Sequence, residues 1–63
     1  MNDNPLVSVV MPAYNAAETL KQTYDEVMAQ NIVDEVIVVD DASHDDTVRI
    51  AETLPNTKVI FLL

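Results

Sequence analysis

The chain has 63 residues and a mass of 7.0 kDa, which limits it to one small domain. It contains no cysteine, no glycine and a single histidine, His44. Disulfides, thiolate or multi-histidine zinc sites, and every phosphate loop built on glycine are therefore excluded. Eleven acids against three bases give a formal net charge of −8. Lys21, Arg49 and Lys58 are too scattered to track a phosphate backbone, so no nucleic-acid partner is expected. An anionic membrane surface would repel the chain as well.

Apolar residues make up 49% of the sequence, too many for a disordered acidic tail. The uninterrupted apolar runs, Val36 to Val39 and Val59 to Leu63, fall far short of the roughly 20 residues of a membrane span. The start, MNDNPLVSVV, has neither a basic leader nor a cleavage pattern. A cytoplasmic location is expected, without membrane contact from this segment.

Residues 1–4 read as a polar lead-in. Leu6 to Met11 (LVSVVM) is short and β-branched-rich, as in a buried strand, and Pro12 is expected to end it. Asn15 reads as a helix N-cap with Glu18 three residues on, a capping-box spacing. Ala16 to about Gln30 reads as helix, with Leu20, Tyr24, Val27 and Met28 on one apolar stripe. Lys21, Gln22, Asp25 and Glu26 lie opposite, and Asn31 is a stop signal.

Glu35 to Asp40 (EVIVVD) is the second predicted strand. Its four consecutive apolar residues predict burial on both faces, as in a parallel sheet between helices. After the polar turn Asp41 to Asp46, Ser43 is expected to cap a second helix, with Asp45 and Asp46 favouring its N-terminus through the macrodipole. That helix reaches about Leu54, with Val48, Ala51 and Leu54 on one side. Pro55-Asn56 breaks it, and Lys58 to Leu63 is a third strand. The order β-α-β-α-β implies parallel strands joined by right-handed crossovers, one half of a doubly wound α/β sheet. Such a sheet is small and keeps two open edges, so the chain reads as the N-terminal part of a larger single domain.

In open α/β sheets ligands bind beyond the carboxyl ends of the strands. Two polar clusters are expected there: Pro12-Ala13-Tyr14-Asn15 after the first strand and Asp40-Asp41-Ala42-Ser43 after the second. Neighbouring parallel strands would bring both to one rim. Paired aspartates repel unless a partner offsets the repulsion. An ionised carboxylate only accepts hydrogen bonds, so the pair suits a cation or ligand N–H groups such as those of uracil or guanine. Tyr14 offers a ring face or a hydroxyl. The structural alternative is one solvated aspartate and one turn cap. His44 is expected to be a solvated loop residue. Ser8, inside a strand and without a base, is no nucleophile. A dinucleotide-binding unit would need glycines where this chain has Pro-Ala-Tyr-Asn. A receiver-like phosphoacceptor domain would carry its acid pair after the first strand; it ranks below the other readings.

The segments VSVVMPAYNAAETL and VIVVDDASHDDT together resemble the opening of the family 2 (GT-A fold) inverting glycosyltransferases. That opening runs from a hydrophobic strand through P-x-Y-N and a helix to a second strand ending in D-D-[GA]-S and a D-x-T helix start. The resemblance covers nearly the whole chain and implies a Rossmann-like, nucleotide-sugar-binding domain over residues 1–63. It implies that Pro12 and Tyr14 line a base pocket and that one of Asp40 and Asp41, by preference Asp41, accepts a base N–H. Ala42 stands where the family often has glycine.

The resemblance implies a parent enzyme that uses a UDP- or GDP-linked sugar and Mg2+ or Mn2+, with possible membrane association through regions elsewhere. The family's D-x-D metal motif and catalytic base have no counterpart among these residues. No catalytic residue, metal ligand or cofactor is therefore assigned here, and the 63-residue chain itself is expected to be inactive. The alternative reading is a non-catalytic folding or assembly module that pairs with another copy through its open sheet edges.

Overall fold

The computed structural model describes residues 6–62. Five elements follow one another: β1 (Ser8–Ala13), α1 (Leu20–Met28), β2 (Glu35–Asp41), α2 (Thr47–Thr53) and β3 (Thr57–Leu62). The strands form one sheet in the order β1-β2-β3, and both pairings are parallel. This is the expected β-α-β-α-β unit of a Rossmann-like α/β fold. The polar lead-in at residues 1–4 and the end of the third predicted strand at Leu63 lie outside the described residues.

Successive crossovers of one hand that step in one direction leave both helices on the same face of the sheet, and α1 and α2 touch each other there. The core lies between. Met11 and Ala13 of β1, Val36 and Val38 of β2, Leu20 and Tyr24 of α1, and Ala51 with Leu54 from α2 and its end are all buried. Val27 and Met28 complete the predicted stripe of α1 from half-buried positions. Tyr24 also makes a contact that periodicity does not reveal. Its hydroxyl donates to the Pro55 carbonyl at 2.6 Å, tying α1 to the turn that precedes β3.

Among the described residues no helix covers the second face of the sheet, which corrects the expectation of burial on both sides of β2. Burial alternates along the strand: Val36, Val38 and Asp40 are buried, whereas Glu35, Ile37 and Val39 are only partly covered. On the neighbouring strands Val10 and Ile60 are 61% and 48% exposed. The apolar run therefore encodes a strand built for two covered faces, of which these elements cover one. Glu35 organises the polar end of the open face. It accepts the Ser8 hydroxyl at 2.7 Å and faces the Lys58 ammonium at 3.6 Å.

Most boundaries shift by one or two residues from expectation, and three of the shifts shape the rim. Strand β1 runs through Pro12 to Ala13, because it lies at the sheet edge, where a residue without an N–H is tolerated. Helix α1 begins at Leu20, with Thr19 at the N-cap position and no side-chain cap bond. The N–H groups of Thr19 and Leu20 both reach the Ala16 carbonyl, so Ala16–Thr19 is a tight turn instead of the first helical turn. Helix α2 begins at Thr47, with Asp46 and not Ser43 at the N-cap position. In both cases the residue expected to cap its own helix is held by the other loop, as described below. Among the described residues no helix is long and apolar enough to cross a membrane.

Candidate functional site

The register of β1 on β2 builds the rim. Pro12 pairs with Val39 and Ala13 with Asp40, so Tyr14 and Asp41 each lie one residue past the last matched pair, on neighbouring strands that run the same way. Side chains alternate along a strand, and this separates the two aspartates. Asp40 lies on the helix-covered face and is only 3% exposed. Asp41 projects the opposite way, is exposed, and is level with Leu62 of β3. Tyr14 is 60% exposed, and Pro12 is exposed in the row below, between the rim and Val10. Pro12, Tyr14 and Asp41 thus share one accessible end of the sheet. Asp40 lies beneath it.

The turn after each strand is sharp. Asn15, directly after Tyr14, has φ 47°, and Ala42, directly after Asp41, has φ 55°. Left-handed backbone is ordinarily a glycine conformation; asparagine tolerates it, and alanine does so at a cost. In a chain without glycine, other interactions must hold these turns. Asp40 Oδ2 accepts the Ser43 N–H at 3.1 Å, closing the loop over Ala42. Asp40 Oδ1 is buried with no hydrogen-bond partner among the described residues.

The two loops are joined by four hydrogen bonds, each from a backbone N–H to a side-chain oxygen. Asn15 N donates to Ser43 Oγ at 2.9 Å, and His44 N donates to Asn15 Oδ1 at 2.8 Å. Ala16 N donates to Thr47 Oγ1 at 2.8 Å, and Ala17 N donates to Asp45 Oδ2 at 3.1 Å. Thr47 is fully buried; its hydroxyl donates to Asp45, and its N–H reaches Asp45 Oδ1 at 3.0 Å. The Thr47 hydroxyl, helped by the backbone N–H groups of Thr47 and Ala17, holds the Asp45 carboxyl below its ordinary range. His44 is exposed, as expected, and contributes its backbone.

Sequence reasoning assigned Asn15 and Ser43 to local caps and passed over Thr47 as a binding element. Their cross-loop roles depend on the strand register. One signal was present: two loops without glycine, each dense in side-chain acceptors, need somewhere for their free N–H groups to go.

Two further features bound the chemistry. Among the described residues no three His, Asp or Glu side chains converge to hold a metal ion, and Asp40 and Asp41 point to opposite faces. A divalent cation does not fit this donor set. All three basic side chains are engaged: Lys21 with Asp25, Arg49 with Asp46 and Lys58 with Glu35. A groove of about 510 Å³ beside β1 is lined by Val7, Val9, Val27 and Ile32 among others. It lies toward the amino ends of the strands and includes none of the rim residues, whereas ligands of open α/β sheets bind at the carboxyl ends.

In open parallel α/β sheets, ligands bind at a rim in this position, beyond the carboxyl ends of the strands. The family model described as glycosyl transferase family 2 matches residues 8–62, and the chain belongs to that family. It is 43% identical over 53 residues to the putative glycosyltransferase EpsE of Bacillus subtilis (strain 168), covering 82% of this chain and 19% of that protein. It is 43% identical over 49 residues to a chondroitin synthase of Escherichia coli, covering 76% of this chain and 7% of that one. A hyaluronan synthase of Pasteurella multocida is 38% identical over 55 residues, 86% of this chain and 6% of the synthase. The chain thus spans a fifth or less of the length of these relatives. No solved structure matches it significantly.

Proposed function

We propose that this chain is the base-binding part of a glycosyltransferase that moves a sugar from a nucleotide-sugar donor, UDP- or GDP-linked, to an acceptor by direct displacement. The observation that carries the reading is the parallel β1–β2 register, which brings the exposed Tyr14 and Asp41 to one rim. Asp41, acceptor-only when ionised, takes an N–H from the base edge. Tyr14 and Pro12 supply apolar contact to the ring, and Tyr14 adds a stacking face. Asp40 supports the turn from below. We assign no catalytic residue to the chain, and divalent-metal binding belongs to residues elsewhere in a larger enzyme. The absence of cysteine suits a reducing, cytoplasmic setting.

With no unpaired basic side chain for the diphosphate, binding is weak, with a Kd of roughly 1 mM. Amide shift mapping with UDP and with GDP tests this. Perturbations centred on Tyr14 and Asp41 are expected, and Asp41→Ala, which removes the acceptor, should abolish them without changing the fold. A folded chain whose Tyr14 and Asp41 resonances ignore both nucleotides overturns the reading.

A second reading has its own support. Parallel sheets are ordinarily covered on both faces, yet here Val10, Ile60 and Leu62 are exposed on the open one. Association of two copies through this face would cover it. Light scattering at high protein concentration decides: a strict monomer rules out the assembly module.

A further inference from the structure

The two rim loops are fastened by a reciprocal pair of bonds at one point. Asn15 donates its backbone N–H to Ser43 Oγ, and its own side-chain Oδ1 receives the N–H of the next residue, His44. Asn15 is directly attached to Tyr14. Ser43 stands two residues beyond Asp41 and is itself anchored to the buried Asp40. The rotation of the chain at Asn15 thus sets where Tyr14 points, and the turn over Ala42 sets where Asp41 points. Both turns lie in the left-handed region, from which an unrestrained alanine would readily relax to more favourable backbone angles and in which an asparagine is tolerated without being confined. The latch opposes that relaxation on both loops at once. Thr47 and Asp45 restrain the chain one and two residues further along.

We infer that Asn15 and Ser43 are positioning residues which fix the spacing between Tyr14 and Asp41 and so preorganise the base pocket without touching the ligand. This rests on the base-binding reading above. A pocket held in its bound geometry avoids the ordering cost of association. Loosening the latch should therefore weaken binding even though every residue that meets the nucleotide is kept.

The test uses variants that separate backbone from acceptor. Asn15→Gly keeps access to positive φ, removes the Oδ1 acceptor and frees the backbone, and Ser43→Ala tests the latch without that added freedom. Asn15→Asp keeps both positive φ and the acceptor. Ser43→Ala removes the acceptor for the Asn15 N–H, and Ser43→Thr restores it. Amide exchange and shift titrations with UDP and with GDP are followed on each. For Asn15→Gly and Ser43→Ala the expected result is about threefold to tenfold weaker nucleotide binding, the loss of one ordinary hydrogen bond. Exchange of the His44 amide should rise about tenfold in Asn15→Gly, since its acceptor is gone. The resonances of Val36 and Val38 should stay in place, and Asn15→Asp and Ser43→Thr should bind as the unsubstituted chain does. Because the pair is reciprocal, the double variant Asn15→Gly/Ser43→Ala should lose less than the product of the single losses.

A nucleotide response that persists unchanged in Asn15→Gly and Ser43→Ala overturns the latch and leaves the pocket standing. Failure of the conservative variants to restore binding also overturns it. No response in the unsubstituted chain overturns the pocket, and the positioning role falls with it.

Discussion

Replacing Ala42 with glycine should stabilise the protein. Ala42 is the one position among the described residues where a side chain other than asparagine occupies left-handed backbone, with φ 55°. That conformation brings Cβ too close to the following carbonyl and costs about 1–2 kcal/mol for an ordinary residue. Glycine removes the clash but returns about 0.5–1 kcal/mol through the greater freedom of the unfolded chain. Taken at mid-range the difference is a gain of about 0.75 kcal/mol, which for a domain of this size raises the melting midpoint by about 3–6 °C. Ala42 is exposed and lines no core, so no packing loss opposes the gain. Thermal and urea unfolding of Ala42→Gly beside the parent chain measure it. Asn56→Gly is the control: Asn56 has φ 53°, but asparagine already tolerates this region, so a change within about 0.5 kcal/mol is expected there. An Ala42→Gly chain no more stable than the parent refutes the argument, because the turn would then have to relax away from positive φ in solution.

Three other outcomes are expected. Tyr24→Phe keeps the ring in the core and deletes the 2.6 Å bond to the Pro55 carbonyl, so the urea midpoint should fall by the equivalent of about 1 kcal/mol; an unchanged midpoint would mean that water replaces the hydroxyl at no cost. The Asp45 carboxyl is held below its ordinary value of 3.8 by the Thr47 hydroxyl. Its contribution to stability is full above that value and fades as the pH falls through the lowered one. Asp45→Asn should therefore be less stable than the parent at pH 7, with the two unfolding curves converging in acid; a gap that stays constant from pH 7 to acid contradicts this. Val10→Lys/Ile60→Lys places two charges on the open sheet face, so any self-association of the parent at high concentration should vanish while the helix-side core is undisturbed. Sedimentation of the two chains compares them, and association that survives the charges clears this face.

Local pattern carried the architecture. The β-branched runs, the apolar stripe from Leu20 to Met28 and the break at Pro55-Asn56 gave five elements in the right order. Strand and helix periods are short-range properties, set by backbone geometry that each segment carries alone. The family resemblance was equally local, since P-x-Y-N and D-D-A-S are contiguous in the chain. Boundaries next to loops were less legible. Asn15 and Ser43 satisfy the local rule for a helix cap, but a cap is chosen in competition with every other partner within reach, and the partner that won lies 28 residues away.

The sequence by itself thus determined the elements, their parallel connection and the two polar clusters that follow the first strands, because these depend on neighbours a few residues apart. Only the folded arrangement decided that Asp40 and Asp41 part to opposite faces, that both described helices cover the same face of the sheet, and that Asn15, Ser43, Asp45 and Thr47 bind one loop to the other. Those outcomes follow from register. A shift of one residue between β1 and β2 would exchange every inward side chain for an outward one, and the register is set by the summed burial of Met11, Ala13, Val36 and Val38 against two helices at once.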